Sequence, residues 1–162
     1  MLTAHVMHTD QETDAFVARL ANSGCQLDAT ATSWLAAFEL ALPFRLPPHF
    51  QSLIARYSFD PFEWRDVAFF GNRGNRDHTD LVVASTQDPL LTRVTRSQGL
   101  LRVGRPASGS YDPVCFDMGR RSKVGDAPLV RIDHEEVLIH SRVRVIHTYA
   151  TSFREFICAE AA

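Results

Sequence analysis

The chain has 162 residues, a formal net charge of −2, 45% hydrophobic and 22% charged residues, which fits one globular domain whose core is large enough to need no disulfide or metal staple. No run approaches 18 apolar residues, and the opening MLTAHVMHTD has neither a basic n-region nor an apolar h-region, so no membrane span and no secretory signal are expected. Residues 1–64 hold seven acids against three arginines and the remainder is mildly basic; an excess so small and so interspersed reads as a solvated surface and predicts no nucleic-acid partner.

Thr9-Asp10-Gln11-Glu12 has the spacing of a capping box and predicts a helix from about residue 10, with Phe16, Val17 and Leu20 on one face and an end near Asn22-Ser23-Gly24. Ala31, Trp34, Leu35, Phe38, Ala41 and Leu42 follow a 3.6-residue period over three turns, and Pro43 stops that second helix. RLPPHFQSLIARY opens a third, since proline is tolerated in a first turn; Phe50, Leu53, Ile54 and Tyr57 mark its inner face. WRDVAFFG reads as one strand, and the glycine-rich 71–79 as a loop. Asp88-Pro89 begins another helix, with Leu90, Leu91 and Val94 inward and Gly99 closing it. LLRVG, PVCFDM, PLVRID, VLIH and VRVI then read as extended, and a last helix starts near Thr151-Ser152 with Phe153, Phe156 and Ile157. Helices first and strands later predict an α+β fold: one domain, 1–162, with N-terminal helices, a mostly antiparallel sheet flanked by helices, and a C-terminal helix. Residues 1–28 read as an N-terminal helical extension of it.

The acids between residues 109 and 139 invite a chemical reading. With PVCFDM and PLVRID as neighbouring strands, pairing Phe116 with Val130 and Val114 with Ile132 places apolar partners together and sets Asp117 diagonal to Arg131, whose charge it would balance. Asp112 before Pro113 favours a turn. DHEE does not make the HExxH zinc pattern, and as a strand it would send His134 and Glu135 to opposite faces and hold His134 and His140 about 20 Å apart; no metal or cofactor is expected. GRPASGS lacks the lysine of a phosphate loop, and no GxSxG elbow occurs. The seven histidines (5, 8, 49, 78, 134, 140, 147) show no clustering in sequence. Cys25, Cys115 and Cys158 are odd in number and widely spaced, which argues against a disulfide framework or zinc knuckle and fits a reducing cytoplasm; Cys115 reads as a core residue. In YSFDPFEWRDVAFF most aromatics read as core, with Trp64 the candidate for an exposed protein-binding anchor.

The order of these pieces resembles the SUKH superfamily, which includes yeast cell-wall-assembly regulators and many bacterial immunity proteins. The likeness rests on Leu46-Pro47 at a helix start, Val103-Gly104 in a strand, Asp112 with Phe116-Asp117, the aliphatic strand ending at Asp133-His134-Glu135, and the closing Ser152-Phe153 helix. It covers roughly residues 30–160; the first helix and the long SYDPVCFDMGRRSK segment depart from the pattern. The resemblance implies an α+β binding module without catalysis, in the cytoplasm, whose partner is a protein, a toxin domain among the bacterial members, with no membrane or nucleic acid involved. Tyr111, Asp112, Asp133, His134 and Glu135 are then candidate contact residues beside Trp64, their acids meeting a basic toxin cleft. A regulatory scaffold of the same fold and a small hydrolase using His134 with a nearby carboxylate are the alternatives. Oligomeric state is not legible in the sequence.

Overall fold

The computed structural model describes residues 2–29 and 33–159, and of residues 2–6 the backbone alone. Helix α1 (Leu2–Asn22) leads through a short strand β1 (Leu27–Ala29) to α2 (Leu35–Leu40) and α3 (Pro48–Arg56), after which β2 (Tyr57–Phe59) pairs antiparallel with β1. The main sheet has six antiparallel strands in the order of the chain: β3 (Phe62–Trp64), β4 (Val67–Phe69), β5 (Leu100–Pro106), β6 (Val114–Asp117), β7 (Leu129–Ile132) and β8 (Val145–Ala150). Helices α4 (Leu81–Thr86) and α5 (Pro89–Ser97) connect β4 to β5, α6 (His134–His140) connects β7 to β8, and α7 (Phe153–Cys158) closes the chain. This is the expected α+β arrangement of N-terminal helices, flanked antiparallel sheet and C-terminal helix.

Both faces of the sheet are covered across its strands β5 to β7. One face carries the larger core, in which α1 (Phe16, Leu20), α3 (Phe50, Leu53, Ile54) and α7 (Phe153, Phe156, Ile157) pack on Phe69, Phe116 and Leu129. Phe153 is its hub, with ring centroids of Phe116 at 5.1 Å, Phe50 at 5.6 Å and Phe69 at 6.2 Å, all edge-on, the geometry aromatic quadrupoles favour. The opposite face holds a smaller cluster of Leu100, Cys115, Val130 and Ile132 under Val94 of α5 and Val137 of α6. Cys115 is fully buried, as expected, and burial pushes its thiol up to about 12, so it stays protonated and inert. Gly104 in β5 lies against β4 so closely that a Cβ would stand 2.4 Å from the Ala68 carbonyl oxygen.

α1 begins at Leu2, so Thr9 lies inside the helix, where the Thr13 hydroxyl donates to its carbonyl at 2.8 Å; the capping-box spacing marks no start there. α2 is shorter than the three turns expected, and Ala31 lies outside the described residues. WRDVAFFG is half of a hairpin: β3 and β4 meet through a two-residue turn at Arg65 and Asp66, both with positive φ (48° and 63°), the twist a tight hairpin needs without its usual glycine signal. Trp64 is no exposed anchor, since its indole packs edge-on against Phe16 at 5.4 Å. Leu90 faces outward, 59% exposed. VLIH is helical, within α6. β6 and β7 pair Val114 with Arg131, Cys115 with Val130 and Phe116 with Leu129, one residue from the expected register. Because both faces of these strands are buried, a one-residue slip exchanges one apolar set for another, and alternation does not fix the register.

Candidate functional site

The structure brings Tyr111, Asp112, Asp133 and His134 together at one end of the β6–β7 pair, with Asp112 at the centre. Asp112 just precedes β6, is 6% exposed, and accepts on both oxygens. Oδ2 takes the Nε of Arg131 at 2.8 Å and the Ser110 hydroxyl at 2.9 Å, and pairs with Arg131 Nη2 as well. Oδ1 takes the backbone N–H of His134 at 3.2 Å and its Nδ1 at 2.7 Å. Burial raises the Asp112 carboxyl, but the hydrogen bonds from His134, Arg131 and Ser110 outweigh it and hold the group well below the usual carboxylate range. Asp117, expected to balance Arg131, pairs instead with Arg120 at 2.6 Å.

Asp133 is the N-cap of α6, its Oδ1 accepting from the backbone N–H groups of Glu135 (2.9 Å) and Glu136 (3.3 Å), while Oδ2 pairs with Arg144. The hydrogen bond from Arg144 holds the Asp133 carboxyl below its ordinary value. Glu136 pairs with Arg142 at 2.8 Å. The acid-rich end expected to meet a basic cleft is therefore neutralised internally by Arg131, Arg142 and Arg144. Glu135 remains exposed on α6. Tyr111 is 77% exposed, its ring 6.3 Å from that of His134.

Two chemical capacities follow from this geometry. Because the carboxylate can only accept, the 2.7 Å contact places a proton on His134 Nδ1, the arrangement of a base oriented by an acid. A nucleophile at Nε2 is missing among the described residues, and Ser110 spends its hydroxyl on Asp112 rather than on the imidazole. Asp112, Asp133 and His134 also offer ligand atoms within 4.8 Å of one another, a grouping the strand reading of DHEE hid. The donors are committed, however, and two guanidinium groups would have to leave before a divalent ion entered.

The same end of the molecule presents apolar surface. β8 is an edge strand, and Val145, Ile146, His147 and Thr148 are all exposed along it. Leu138 and Ile139 are exposed on α6, which leads into that strand. A hollow of about 240 Å³ lies beside it, lined by Asp66, Pro106, Ser108, Arg131, His147 and Tyr149. No family model matches the chain, and no curated protein matches it significantly. Among the described residues no helix is long and apolar enough to cross a membrane.

A second polar cluster escaped the sequence because its members are far apart in the chain. Glu12 of α1 accepts from His49 Nε2 at 2.7 Å and from Arg154 Nε at 2.9 Å, and lies 3.2 Å from His8 Nε2, tying α1 to α3 and α7. Arg154 chiefly, and His49 after it, lower the Glu12 carboxyl to about 2. Asp126, buried in the β6–β7 connection, accepts from the N–H groups of Ala127, Phe153 and Arg154 and so anchors the start of α7.

Proposed function

We propose that this chain is a non-catalytic, cytoplasmic protein-binding module of the SUKH type, acting as an immunity-type protein that neutralises a toxin domain by binding it. The observation that carries the reading is the outer edge of β8, unpaired among the described residues, with Val145 and Ile146 exposed and Leu138, Ile139 and Tyr111 at the same end. An uncovered strand edge with apolar side chains is a template for an extended partner segment, whose backbone would add a seventh strand and whose side chains would meet Val145 and Ile146. The internal neutralisation of Asp112, Asp133 and Glu136 supports binding over catalysis, since these carboxylates hold structure in place. Tyr111, His134 and Glu135 remain contact residues in this proposal; Trp64 leaves it, and Asp112 and Asp133 act by holding the others.

A tagged chain and an Ile146→Lys variant, used to capture proteins from lysate of the source organism at moderate salt, test this. One stoichiometric partner, held by the wild type and lost by the variant at unchanged melting temperature, is the expected result. A partner retained equally by both would place binding elsewhere. A concentration-dependent dimer of the chain abolished by the same substitution would mean that the edge pairs with a second copy.

A further inference from the structure

A large cleft lies at the opposite end of the β6–β7 pair from Asp112 and His134. It measures about 1010 Å³ and runs between α2, the start of α3 and the connection from β6 to β7. Its polar wall is basic: Arg45, Arg121 and Lys123 line it, all exposed, and none has an ion-pair partner among the described residues. This contrasts with the opposite end, where Arg131, Arg142 and Arg144 are each matched by a carboxylate. Glu39, the acid in the lining, is engaged by the Gln51 side-chain amide. The apolar wall includes Leu40, 88% exposed, and Val124, 62% exposed, facing the cleft with Phe44 and Leu46.

We propose that this cleft is a binding site for an acidic peptide segment carrying aliphatic side chains. Three cations without an ion-pair partner among the described residues, against the single carboxylate of Glu39, leave the concavity net positive; this raises the local concentration of anionic groups, while side chains as exposed as Leu40 and Val124 gain by burial against an aliphatic partner. The lining favours a peptide over a nucleic acid. Single strands are held by cations combined with aromatic platforms on which bases stack, and among the described lining residues the aromatic is Phe44 alone, half-buried. The site is independent of the β8 edge, and its occupant has the charge opposite to that of the basic toxin cleft expected from the sequence.

The test is a titration of the full chain, labelled with nitrogen-15, with a synthetic ten-residue peptide of alternating Glu and Leu at low salt. Backbone amide shifts confined to Leu40, Arg45 and residues 121–125 are expected, with affinity falling about tenfold or more in an Arg121→Glu/Lys123→Glu variant and in a peptide whose leucines are replaced by serine. Both substituted positions are exposed, and an unchanged melting temperature verifies that the variant is folded. Absence of shifts at millimolar peptide overturns the proposal. So does an equal response to inorganic phosphate, which would mark a small-anion site, or tighter binding of a single-stranded oligonucleotide. Because the titration reads the cleft alone, its failure leaves the β8 edge reading standing, and failure of the edge reading leaves the cleft.

Discussion

Replacing Asp112 by alanine separates a structural acid from a contact acid. The carboxylate is nearly buried and accepts from Arg131, Ser110 and both the backbone and the ring of His134. Removing it leaves a guanidinium and a part-buried N–H without their acceptor. Breaking a fully buried pair in this way costs about 3–5 kcal/mol; the Arg131 side chain keeps 30% of its exposure and recovers some hydration, which reduces the expected loss to roughly 2–3 kcal/mol. For a domain of this length each kcal/mol lowers the melting temperature by about 2–4 °C, so Asp112→Ala should melt about 4–12 °C lower at neutral pH. Glu135→Ala, on the exposed side of the same helix turn, should stay within about 0.5 kcal/mol of wild type. Calorimetry of both variants reads this directly. The sign with pH is fixed as well: the folded carboxyl sits below its ordinary value of 3.8, so its contribution is complete above that value and fades as pH falls beneath it, and the gap between wild type and Asp112→Ala should narrow in acid. A variant that melts with wild type at pH 7 would refute the structural role of Asp112.

Glu12→Gln should destabilise by about 1–2 kcal/mol at neutral pH, because His49 and Arg154 lose a charged acceptor; since the folded carboxyl is lowered from 4.5 to about 2, the difference from wild type should shrink between those pH values, read by denaturant melts in acid. Gly104→Ala sets a Cβ 2.4 Å from the Ala68 carbonyl and should cost more than about 2 kcal/mol or abolish soluble expression, whereas Gly109→Ala, with open space around its Cβ, should cost only the strain of its positive φ. Millimolar zinc or manganese should raise the melting temperature by under about 1 °C, as Arg131 and Arg144 already occupy the carboxylates of the Asp112–Asp133–His134 group; a rise of several degrees would show that an ion displaces them.

Local chemistry was the most legible part of the fold. Pro48 in the first turn of α3, Asp88 capping α5 and Ser152 capping α7 each stand where the sequence places them, since a cap needs only neighbouring residues. The misreadings arise where two local signals compete or where the decisive partner is distant. Val137-Leu138-Ile139 has strand propensity, yet Asp133 followed three residues later by Glu136 is a helix-start pattern, and the cap prevailed because Val137 alone of the three needs burial. The hairpin turn at Arg65-Asp66 carried no Asn-Gly or Asp-Gly signal, so the turn itself reads as strand and β3 before it goes unread. Of the site, the sequence supplied Tyr111, Asp112, Asp133, His134 and Glu135 as residue types, but the pairing of Asp112 with Arg131 follows from a register that two buried faces leave open. The Glu12 cluster spans His8 to Arg154 and has no sequence signature at all.

The binding claim is tested most directly by isothermal titration of the captured partner into wild type, Ile146→Lys and His134→Ala, with all three melting temperatures measured beside it. A one-to-one complex with wild type, weakened at least tenfold by the lysine on β8 and only modestly by loss of the imidazole, is what the edge-strand account predicts. Full affinity for Ile146→Lys at an unchanged melting temperature would contradict it.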